Sequence, residues 1–540
     1  MPKHFVTMSN DEIIETLELT GKLIDLYEDN PFKSKAYANA AFRLNKLRYD
    51  FEGKTKSDIE GIEGISKSMA SKIFEIINQG TLEELRVLLD KTPSGVIEMM
   101  GIKGLGPKKV RALWQELQIE SVGELLYACN ENRLVTLKGF GEKTQNAVKQ
   151  SIEFKIANNN KCHYAAAEKP ALQLVDAIKA HEPQVQVALT GDIARKCEVI
   201  ESVDVLIDRP LQKDYADLEK LMPVKVNYHT CTPDQFYYRL VEGSAVKEHL
   251  LQINFASLNN QQFDSQAAVY EKLGLPFIPA ELREGLQEVE LARGKGLPKL
   301  IELSDLKGVL HNHSTYSDGV HTLKEMADYC LSLGYGYFGI CDHSKSAFYA
   351  SGLDIDRVLA QQAEIDQLNA GYQNFKILKG IESDILNDGS LDYPEEILKT
   401  FDFIVASVHS NLKMSEEKAN QRLIKAIENP YTTILGHPTG RLLLARPGYP
   451  INHKMIIDAC AANNVSIELN AHPYRLDIDW RWIPYCMEKG VKISINPDAH
   501  HKEGFHDMYF GVCAARKGML TKEACLNALT LAEIKTQFKR

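Results

Sequence analysis

The sequence predicts a multidomain protein with a helical N-terminal region, a small α+β domain and a C-terminal parallel β/α barrel. At 540 residues the chain is too long for a single hydrophobic core. Short glycine-containing segments recur in its first part, up to about residue 150. In residues 304–540, short β-rich runs alternate with helical patterns, which is typical of a parallel sheet.

The composition is that of a globular protein, with 44% hydrophobic and 25% charged residues. Every apolar stretch is too short for a bilayer span, and the start, MPKHFVTMSNDEIIETLEL, lacks the apolar core of a signal peptide. The ten scattered cysteines form no CxxC pair and indicate reduced thiols in a cytosolic protein. A net charge of −10 does not itself indicate nucleic-acid binding, although a local surface can bind phosphate in an acidic protein.

Three N-terminal segments resemble one another: "GIEGISKSMASKI" (61–73), "GIKGLGPKKVRAL" (101–113) and "LKGFGEKTQNAVKQ" (137–150). Glycine lets the backbone approach a ligand, and the following helix N-terminus suits a phosphate. This is the pattern of the helix-hairpin-helix motif, which holds the nucleic-acid backbone without reading bases. Such glycines can also punctuate short helices, but three copies favour DNA binding. The candidate DNA contacts are Gly61, Gly64, Gly101, Gly104, Gly106, Gly139 and Gly141.

Upstream, "LYEDNPFKSKAYANAAFRLNKL" (26–47) predicts a turn at Asn30-Pro31 followed by an amphipathic helix. Together with the first hairpin it resembles the N-terminal lyase domain of family X DNA polymerases. In that family a lysine in the helix after the hairpin forms a Schiff base with an abasic sugar, and Lys72 matches it. A second lysine common nearby is replaced by Ser68. The alternative for Lys72, a phosphate contact or a solvated helix position, carries more weight.

The segment "VQVALTGDIARKCEVIESVDVLID" (185–208) predicts a strand, a turn, a short helix and a second strand. It resembles the nucleotidyltransferase-like palm of family X, where a GS turn and paired arginines precede a strand with a DxD motif. Asp192 replaces the serine of that turn, and only Arg195 of the arginine pair is present. The stretch "EGSAVKEHLLQI" (242–253) resembles the family's nucleotide-pocket segment but carries an insertion.

The palm of family X holds two Mg²⁺ ions with two carboxylates on one strand face and a third from a neighbouring strand. The first two positions are Ser202 and Asp204 here, and the third matches Asn227. Serine and asparagine are poor replacements for anionic Mg²⁺ ligands. We therefore expect a polymerase-shaped domain without polymerase activity, in which Asp204 is the residual carboxylate. In the alternative, Glu201 or Asp208 is recruited and the polymerase is active.

In the C-terminal part, residues of metal-binding types recur, most of them after one of the runs "GVL", "YFGI", "FKILKGI", "FDFIVAS", "TTIL", "VSIELN" and "VKISI". Helical patterns such as "TLKEMADYCLSLG" and "EKANQRLIKAIEN" separate these runs. Side chains at the carboxyl ends of barrel strands converge on one face, so the set predicts a metal site, although any one histidine alone would not. The candidate ligands are His311, His313, Asp318, His343, Glu382, His409, His437, Asp498 and His500.

This arrangement closely resembles the PHP (polymerase and histidinol phosphatase) domain, a distorted (β/α)7-type barrel that binds about three divalent metals. All nine ligand positions of that family are filled. Histidine with carboxylate suits Mn²⁺, Zn²⁺ or Fe²⁺ without selecting among them. The resemblance implies catalytic roles for Glu382, His409 and Asp498, with Glu382 bridging two metals. Four basic residues are candidate phosphate clamps, of which about half are expected to reach the substrate: Lys345, Arg441, Arg446 and Arg475.

From about residue 5 onward the chain resembles a bacterial family X DNA polymerase fused to a PHP domain. The expected domains are lyase-like (1–84), fingers-like (85–162), palm (163–245), thumb-like with a linker (246–303) and PHP (304–540). The resemblance implies a monomeric DNA-repair nuclease of the cytoplasm and nucleoid that acts on 3′ ends of gapped, nicked or damaged DNA. It would be a 3′–5′ exonuclease, with abasic-site endonuclease or 3′-phosphatase activity. The alternatives are an active polymerase, a histidinol-phosphatase-like enzyme and a non-catalytic scaffold.

Overall fold

The structure is a computed structural model that describes residues 9–27, 30–47, 51, 53–130, 134, 137–157, 160–259, 261–444 and 447–538. The chain divides into two units, residues 1–159 and 160–540. Among the described helices, none combines the length and the apolar character that a bilayer crossing requires.

The described residues of the first unit form helices around one apolar core, to which Leu17, Ile73 and Val110 contribute fully buried side chains. Helices α3 and α4, α6 and α7, and α8 and α9 enclose the three predicted hairpins, which the structure confirms. The helices are α1 (Asn10–Tyr27), α2 (Pro31–Leu47), α3 (Lys56–Glu60), α4 (Lys67–Gln79), α5 (Glu83–Asp90), α6 (Ser94–Met99), α7 (Pro107–Leu117), α8 (Val122–Asn130) and α9 (Glu142–Ala157).

The second unit begins with the palm-like domain, where β4 lies between antiparallel β2 and parallel β5. Strand β1 pairs with β3, so the predicted boundary at residues 162 and 163 falls on a strand of this unit. The elements are β1 (Cys162–His163), α10 (Tyr164–His181), β2 (Val187–Thr190), α11 (Gly191–Ala194), β3 (Val199–Ile200), β4 (Val203–Ile207), α12 (Ala216–Glu219), β5 (Val226–Thr230) and α13 (Phe236–Gly243). The thumb-like region adds α14 (Lys247–Gln252), α15 (Gln266–Lys272) and α16 (Glu288–Arg293).

Seven parallel strands form the C-terminal sheet in chain order, as the alternating runs predict. A bridge between Asn312 and Ala499 connects its two ends, so the sheet is a nearly closed barrel. The strands are β6 (Gly308–Val309), β7 (Tyr337–Ile340), β8 (Lys376–Asp384), β9 (Phe403–Ser407), β10 (Ile434–Leu435), β11 (Ser466–Asn470) and β12 (Ile493–Asn496). The helices are α17 (Leu323–Ser332), α18 (Ile355–Asn369), α19 (Glu395–Leu398), α20 (Glu416–Ile427), α21 (His453–Ala462), α22 (Ile483–Glu488), α23 (Met508–Lys517) and α24 (Leu531–Phe538).

Ion pairs join the barrel to the palm-like domain and the thumb-like region. The Lys517 Nζ atom of α23, whose side chain is buried, lies 2.5 Å from Glu284 Oε1. The same carboxylate oxygen lies 3.3 Å from Arg195 Nε of the palm-like domain. Arg516 Nη2 lies 2.8 Å from Glu281 Oε1. A charge that is removed from water without a partner is costly. Each of these ion pairs therefore favours the arrangement in which the barrel, the palm-like domain and the thumb-like region are in contact.

Candidate metal centre

The predicted ligands lie at the carboxyl ends of the barrel strands. His311 follows β6, His409 follows β9 and Asp498 follows β12, whereas Glu382 lies within β8. The backbone of several ligands is left-handed, with φ of 58° at His311, 22° at His437 and 53° at Asp498. Such conformations are strained for residues with a side chain and often occur at functional sites.

Glu382 lies at the middle of the cluster, with almost no exposed surface. Its Oε1 atom is 3.2 Å from His311 Nε2, 3.1 Å from His409 Nε2 and 3.0 Å from His437 Nε2. Its Oε2 atom is 2.9 Å from His343 Nδ1. One carboxylate thus contacts four imidazoles, an arrangement suited to a bridge between cations.

The other predicted ligands extend this cluster. Asp498 Oδ1 lies 2.9 Å from His313 Nε2, and Asp318 Oδ1 lies 3.3 Å from His500 Nε2. His343 Nε2 is 3.7 Å from Asp318 Oδ1, so His343 connects Asp318 to the residues around Glu382. Three sets have ligand atoms within 4.8 Å of one another: His313, Asp318, His343 and His500; His311, His313 and Glu382; and His343, Glu382 and His409.

Two buried ring nitrogens of this cluster, His313 Nδ1 and His437 Nδ1, make no hydrogen bond with the described residues. Buried polar atoms are normally satisfied, so unpaired nitrogens beside carboxylates indicate a missing partner. Imidazole and carboxylate are the ligands that Mn²⁺, Zn²⁺ and Fe²⁺ accept. The residues therefore fit divalent metals.

Outer residues that the sequence analysis missed orient the ligands. Asp384 Oδ1 lies 2.5 Å from His409 Nδ1. Glu468 Oε1 lies 2.6 Å from His311 Nδ1, and its Oε2 atom accepts the backbone N–H of His437 at 2.7 Å. Such partners fix the orientation of a metal-binding imidazole. A signal existed for both: Asp384 follows Glu382 by two residues on the same strand, and Glu468 interrupts an apolar run.

The charges of the cluster support one another. Burial disfavours the charged forms, yet His409 and His311 hold the pKa of Glu382 well below its ordinary value. Burial also opposes protonation of His409, but Glu382 and Asp384 raise its pKa to about 10. For His313, burial and then His500 and His343 lower the pKa to about 3. The carboxylates are therefore ionised, and a bound cation would displace protons from imidazoles such as His409.

Of the basic residues predicted to hold phosphate, Arg475 lies beside a predicted ligand, with its Nε atom 3.7 Å from Asp498 Oδ2. Lys345 follows His343 by two residues, and its Nζ atom lies 5.8 Å from the centroid of the Tyr393 ring.

The Arg441 guanidinium instead donates to Asp479 Oδ2 at 2.8 Å and to the backbone carbonyls of Arg475 and Leu476. These contacts assign it to holding the 475–479 loop. Arg446 lies outside the described residues.

In the palm-like sheet, Asp204 pairs in register with Asn227 of β5, as the resemblance implies. Its carboxylate accepts hydrogen bonds from Ser202 Oγ at 2.6 Å and from Asn227 Nδ2 at 3.1 Å. His229 Nε2, which the sequence analysis missed, lies 2.7 Å from Asp204 Oδ1. Burial raises the pKa of Asp204, but these three partners lower it overall, with His229 contributing most.

Neither substitute carboxylate is directed at Asp204. Glu201 Oε1 lies 2.9 Å from Lys161 Nζ at the surface. Asp208 follows the end of β4, where its buried carboxylate accepts hydrogen bonds from Arg209 and from the backbone N–H of Gln186.

The second and third hairpins present open backbone. A Cβ atom added at Gly104, Gly106, Gly139 or Gly141 would meet no described heavy atom within 4 Å. Gly104 and Gly139 are left-handed, with φ of 90° and 89°. Gly64 differs, because the Arg43 side chain lies over it.

At Gly61 and Gly101 an added Cβ atom would instead lie 3.3 Å from a carbonyl oxygen of the preceding helix. The side chain there would meet the protein itself. These two glycines therefore fit the turn of the hairpin better than an open contact surface.

Lys72 is paired with a carboxylate in the first unit. Its Nζ atom lies 2.9 Å from Glu84 Oε2, which also accepts the Tyr37 hydroxyl at 2.8 Å, and Lys33 contacts the same group. Burial raises the pKa of Glu84, but Lys33 and Lys72 bring it down to about 2. The amine that a Schiff base would need is engaged in this ion pair, so the lyase role of Lys72 stays a prediction.

Comparisons with known proteins agree with this geometry. Residues 8–82 match the helix-hairpin-helix domain, residues 96–152 the SAM-like helix-hairpin-helix tandem and residues 310–472 the PHP domain. A Bacillus subtilis protein named DNA polymerase/3'-5' exonuclease PolX is 32% identical over 99% of this chain and 100% of its own length. Two further relatives match only part of the chain. One is a "probable phosphatase" of Acetivibrio thermocellus, which is 29% identical over 35% of this chain and 78% of its own length. Another, of Clostridium acetobutylicum, is 35% identical over 23% and 52%.

Proposed function

This chain belongs to the PolX family of bacterial family X DNA polymerases fused to a PHP domain, and from that premise we propose that it degrades DNA from 3′ ends. The observation that carries the proposal is the buried cluster of imidazoles and carboxylates around Glu382, in which His313 Nδ1 and His437 Nδ1 make no hydrogen bond with the described residues. The activity is a metal-dependent 3′–5′ exonuclease, with abasic-site endonuclease or 3′-phosphatase activity at the same centre.

The predicted nine-residue set would hold the cations, and Glu382 lies at the middle of that set. Divalent metals bound there supply an activated water and stabilise the charge that develops on phosphate oxygens. The protein's part is orientation: Asp384 fixes the ring of His409, and Glu468 fixes that of His311. Arg475 borders Asp498 and is the first candidate to receive a phosphate oxygen.

The hairpins supply the DNA-binding part of the proposal. Gly106 and Gly141 leave room for a phosphate at the start of α7 and α9. Such contacts carry no sequence information and suit an enzyme that acts at gaps, nicks or damage. We propose DNA repair as the role, performed by a monomer in the cytoplasm at the nucleoid.

In this proposal the palm-like domain helps to position DNA but does not synthesise it. Asp204 already has three protein donors, and the two positions that should carry further anions hold Ser202 and Asn227. Phosphoryl transfer depends almost entirely on positioned charge, so little polymerase activity is expected.

The second candidate function is hydrolysis of a small phosphomonoester, which the partial relatives named phosphatases favour. The same metal centre would carry out this reaction, and the helix-hairpin-helix region would only serve as an adaptor.

A labelled gapped DNA incubated with Mn²⁺, with and without nucleotides, reports degradation and synthesis together, and p-nitrophenyl phosphate is the separate substrate for the phosphomonoesterase. We expect shortening of the 3′ end in both samples, none with a chelator, and no lengthening with nucleotides. Lengthening of the DNA 3′ end would contradict the proposal that the palm-like domain has little polymerase activity. Hydrolysis of p-nitrophenyl phosphate without any shortening of DNA would favour the phosphomonoesterase.

A further inference from the structure

The loop that follows His343 carries an apolar ring in solvent. Phe348 begins the 3₁₀ turn Phe348–Ala350 and is 88% exposed, whereas Ala347 and Ala350 on either side of it are buried. Single exposed apolar residues are common, so exposure alone assigns no role. The way in which this loop is fixed distinguishes Phe348 from the others.

The loop is tied to the metal centre at several points. Ser346 Oγ donates to Asp384 Oδ2 at 2.8 Å, and the other oxygen of Asp384 contacts the ring of His409. The backbone N–H of Ser346 donates to Asp392 Oδ2 at 2.6 Å, and that of Leu353 donates to the His343 carbonyl at 2.8 Å. Phe348 therefore belongs to a loop whose backbone is tied, two residues earlier, to the carboxylate that contacts His409.

A second exposed ring lies beside the ligand Asp498. Tyr474 is 54% exposed, and the next residue, Arg475, places its Nε atom 3.7 Å from Asp498 Oδ2. The ring of Tyr474 stacks on His163 of β1 at a centroid distance of 4.2 Å and an angle of 21°. A residue of the palm-like domain thus packs against this ring.

We infer that Phe348 and Tyr474 stack on the last bases of a single-stranded DNA 3′ end. This inference rests on the proposed function and assigns two residues that hold its DNA substrate. Each ring shares its loop with a cation, Lys345 for Phe348 and Arg475 for Tyr474, and aromatic rings interleaved with basic residues are how proteins hold single strands without sequence preference. The bases at a duplex end are paired and stacked on one another, so the two rings favour a frayed or unpaired end.

The test uses an oligonucleotide with 2-aminopurine as its 3′-terminal base, in the presence of a chelator so that no hydrolysis occurs. Binding to the full-length protein should quench the fluorescence of this base, because stacking quenches it. For Phe348→Ala we expect the quench to be lost and the affinity to fall about tenfold. Phe348→Trp should restore both, because it restores a ring face.

Leu331→Ala is the matched control, since Leu331 is an exposed apolar residue of α17 outside this loop. It should bind and quench like the parent. Quenching by Phe348→Ala equal to that of the parent, or no quenching by the parent itself, would overturn the stacking role. If the parent quenches the base but shortens no DNA with Mn²⁺, the proposed nuclease function fails while the stacking site stands.

Discussion

The barrel cluster and the palm cluster both place a carboxylate on a strand of a sheet, but they differ in what surrounds it. Around Glu382 are imidazoles, some with buried nitrogens that no described residue satisfies. Around Asp204 are three donors, from Ser202, Asn227 and His229. The first carboxylate lies among ring nitrogens that can bind a cation, whereas the second is hydrogen-bonded to donors that cannot take that role as well.

The difference in charge has the same direction. The barrel cluster keeps three carboxylates, Asp318, Glu382 and Asp498, for its cations. The palm cluster keeps only Asp204 of its three positions. Losing anions weakens cation binding, and adding donors to the remaining anion weakens it again. This difference in charge supports the proposal that the palm-like domain does not synthesise DNA.

The largest effect is expected for Glu382→Gln, which removes the central charge and keeps the size of the side chain. Metals supply several kcal/mol of transition-state stabilisation, so exonuclease activity with Mn²⁺ should fall about a thousandfold. The measurement is the shortening of labelled single-stranded DNA, together with the metal content of the purified protein.

Its control is DNA affinity measured with a chelator, which should equal that of the parent because the hairpins are untouched. Degradation by Glu382→Gln at the parent rate would show that the nuclease centre lies elsewhere.

A smaller effect is expected for Asp384→Asn, because Asp384 orients His409 without belonging to the predicted ligands. Loss of such a partner costs about 10- to 100-fold in metal affinity or activity. The Mn²⁺ concentration that gives half-maximal activity should rise accordingly. Asp388→Asn, at an exposed position after the same strand, is the matched control. An unchanged Mn²⁺ dependence would remove the positioning role of Asp384.

The hairpins should separate DNA binding from chemistry with an effect of about tenfold on affinity. Gly106→Leu and Gly141→Leu place a side chain in open space without a left-handed backbone to strain, unlike Gly104 or Gly139. DNA affinity should fall, while hydrolysis of p-nitrophenyl thymidine phosphate should persist. Equal losses on both substrates would assign the hairpins to folding and not to DNA.

The smallest effect is expected in the palm. In a His313→Ala background, where degradation cannot hide synthesis, primer extension should stay at trace level. Glu201→Ala and Asp208→Ala should change nothing, because Lys161 and Arg209 hold these carboxylates away from Asp204. Robust nucleotide addition that either change abolishes would contradict this.

The double change Ser202→Asp with Asn227→Asp sharpens the same comparison. Gain of extension would show that only charge was missing. If primer extension stayed at trace level, other features would also have to block synthesis. The candidates are the His229 contact with Asp204, the altered turn at Asp192 and the insertion near residue 245.

The sequence by itself determined the architecture and the candidate ligands. Strand and helix periods are local, so the seven runs of the barrel and the three hairpins could be predicted from neighbouring residues. Ligand-type residues such as His343 and His409 follow strands, and parallel strands bring their ends together whatever lies between them.

Only the tertiary structure decided which partner each charge has. Glu84 binds Lys72, His229 reaches Asp204, and Glu468 orients His311 across 157 positions of the chain. It also placed the Arg441 guanidinium against Asp479 and a backbone carbonyl of the 475–479 loop. The physical reason is that hydrogen bonds and ion pairs act over a few ångströms in space, and no local pattern records which distant residue will lie that close.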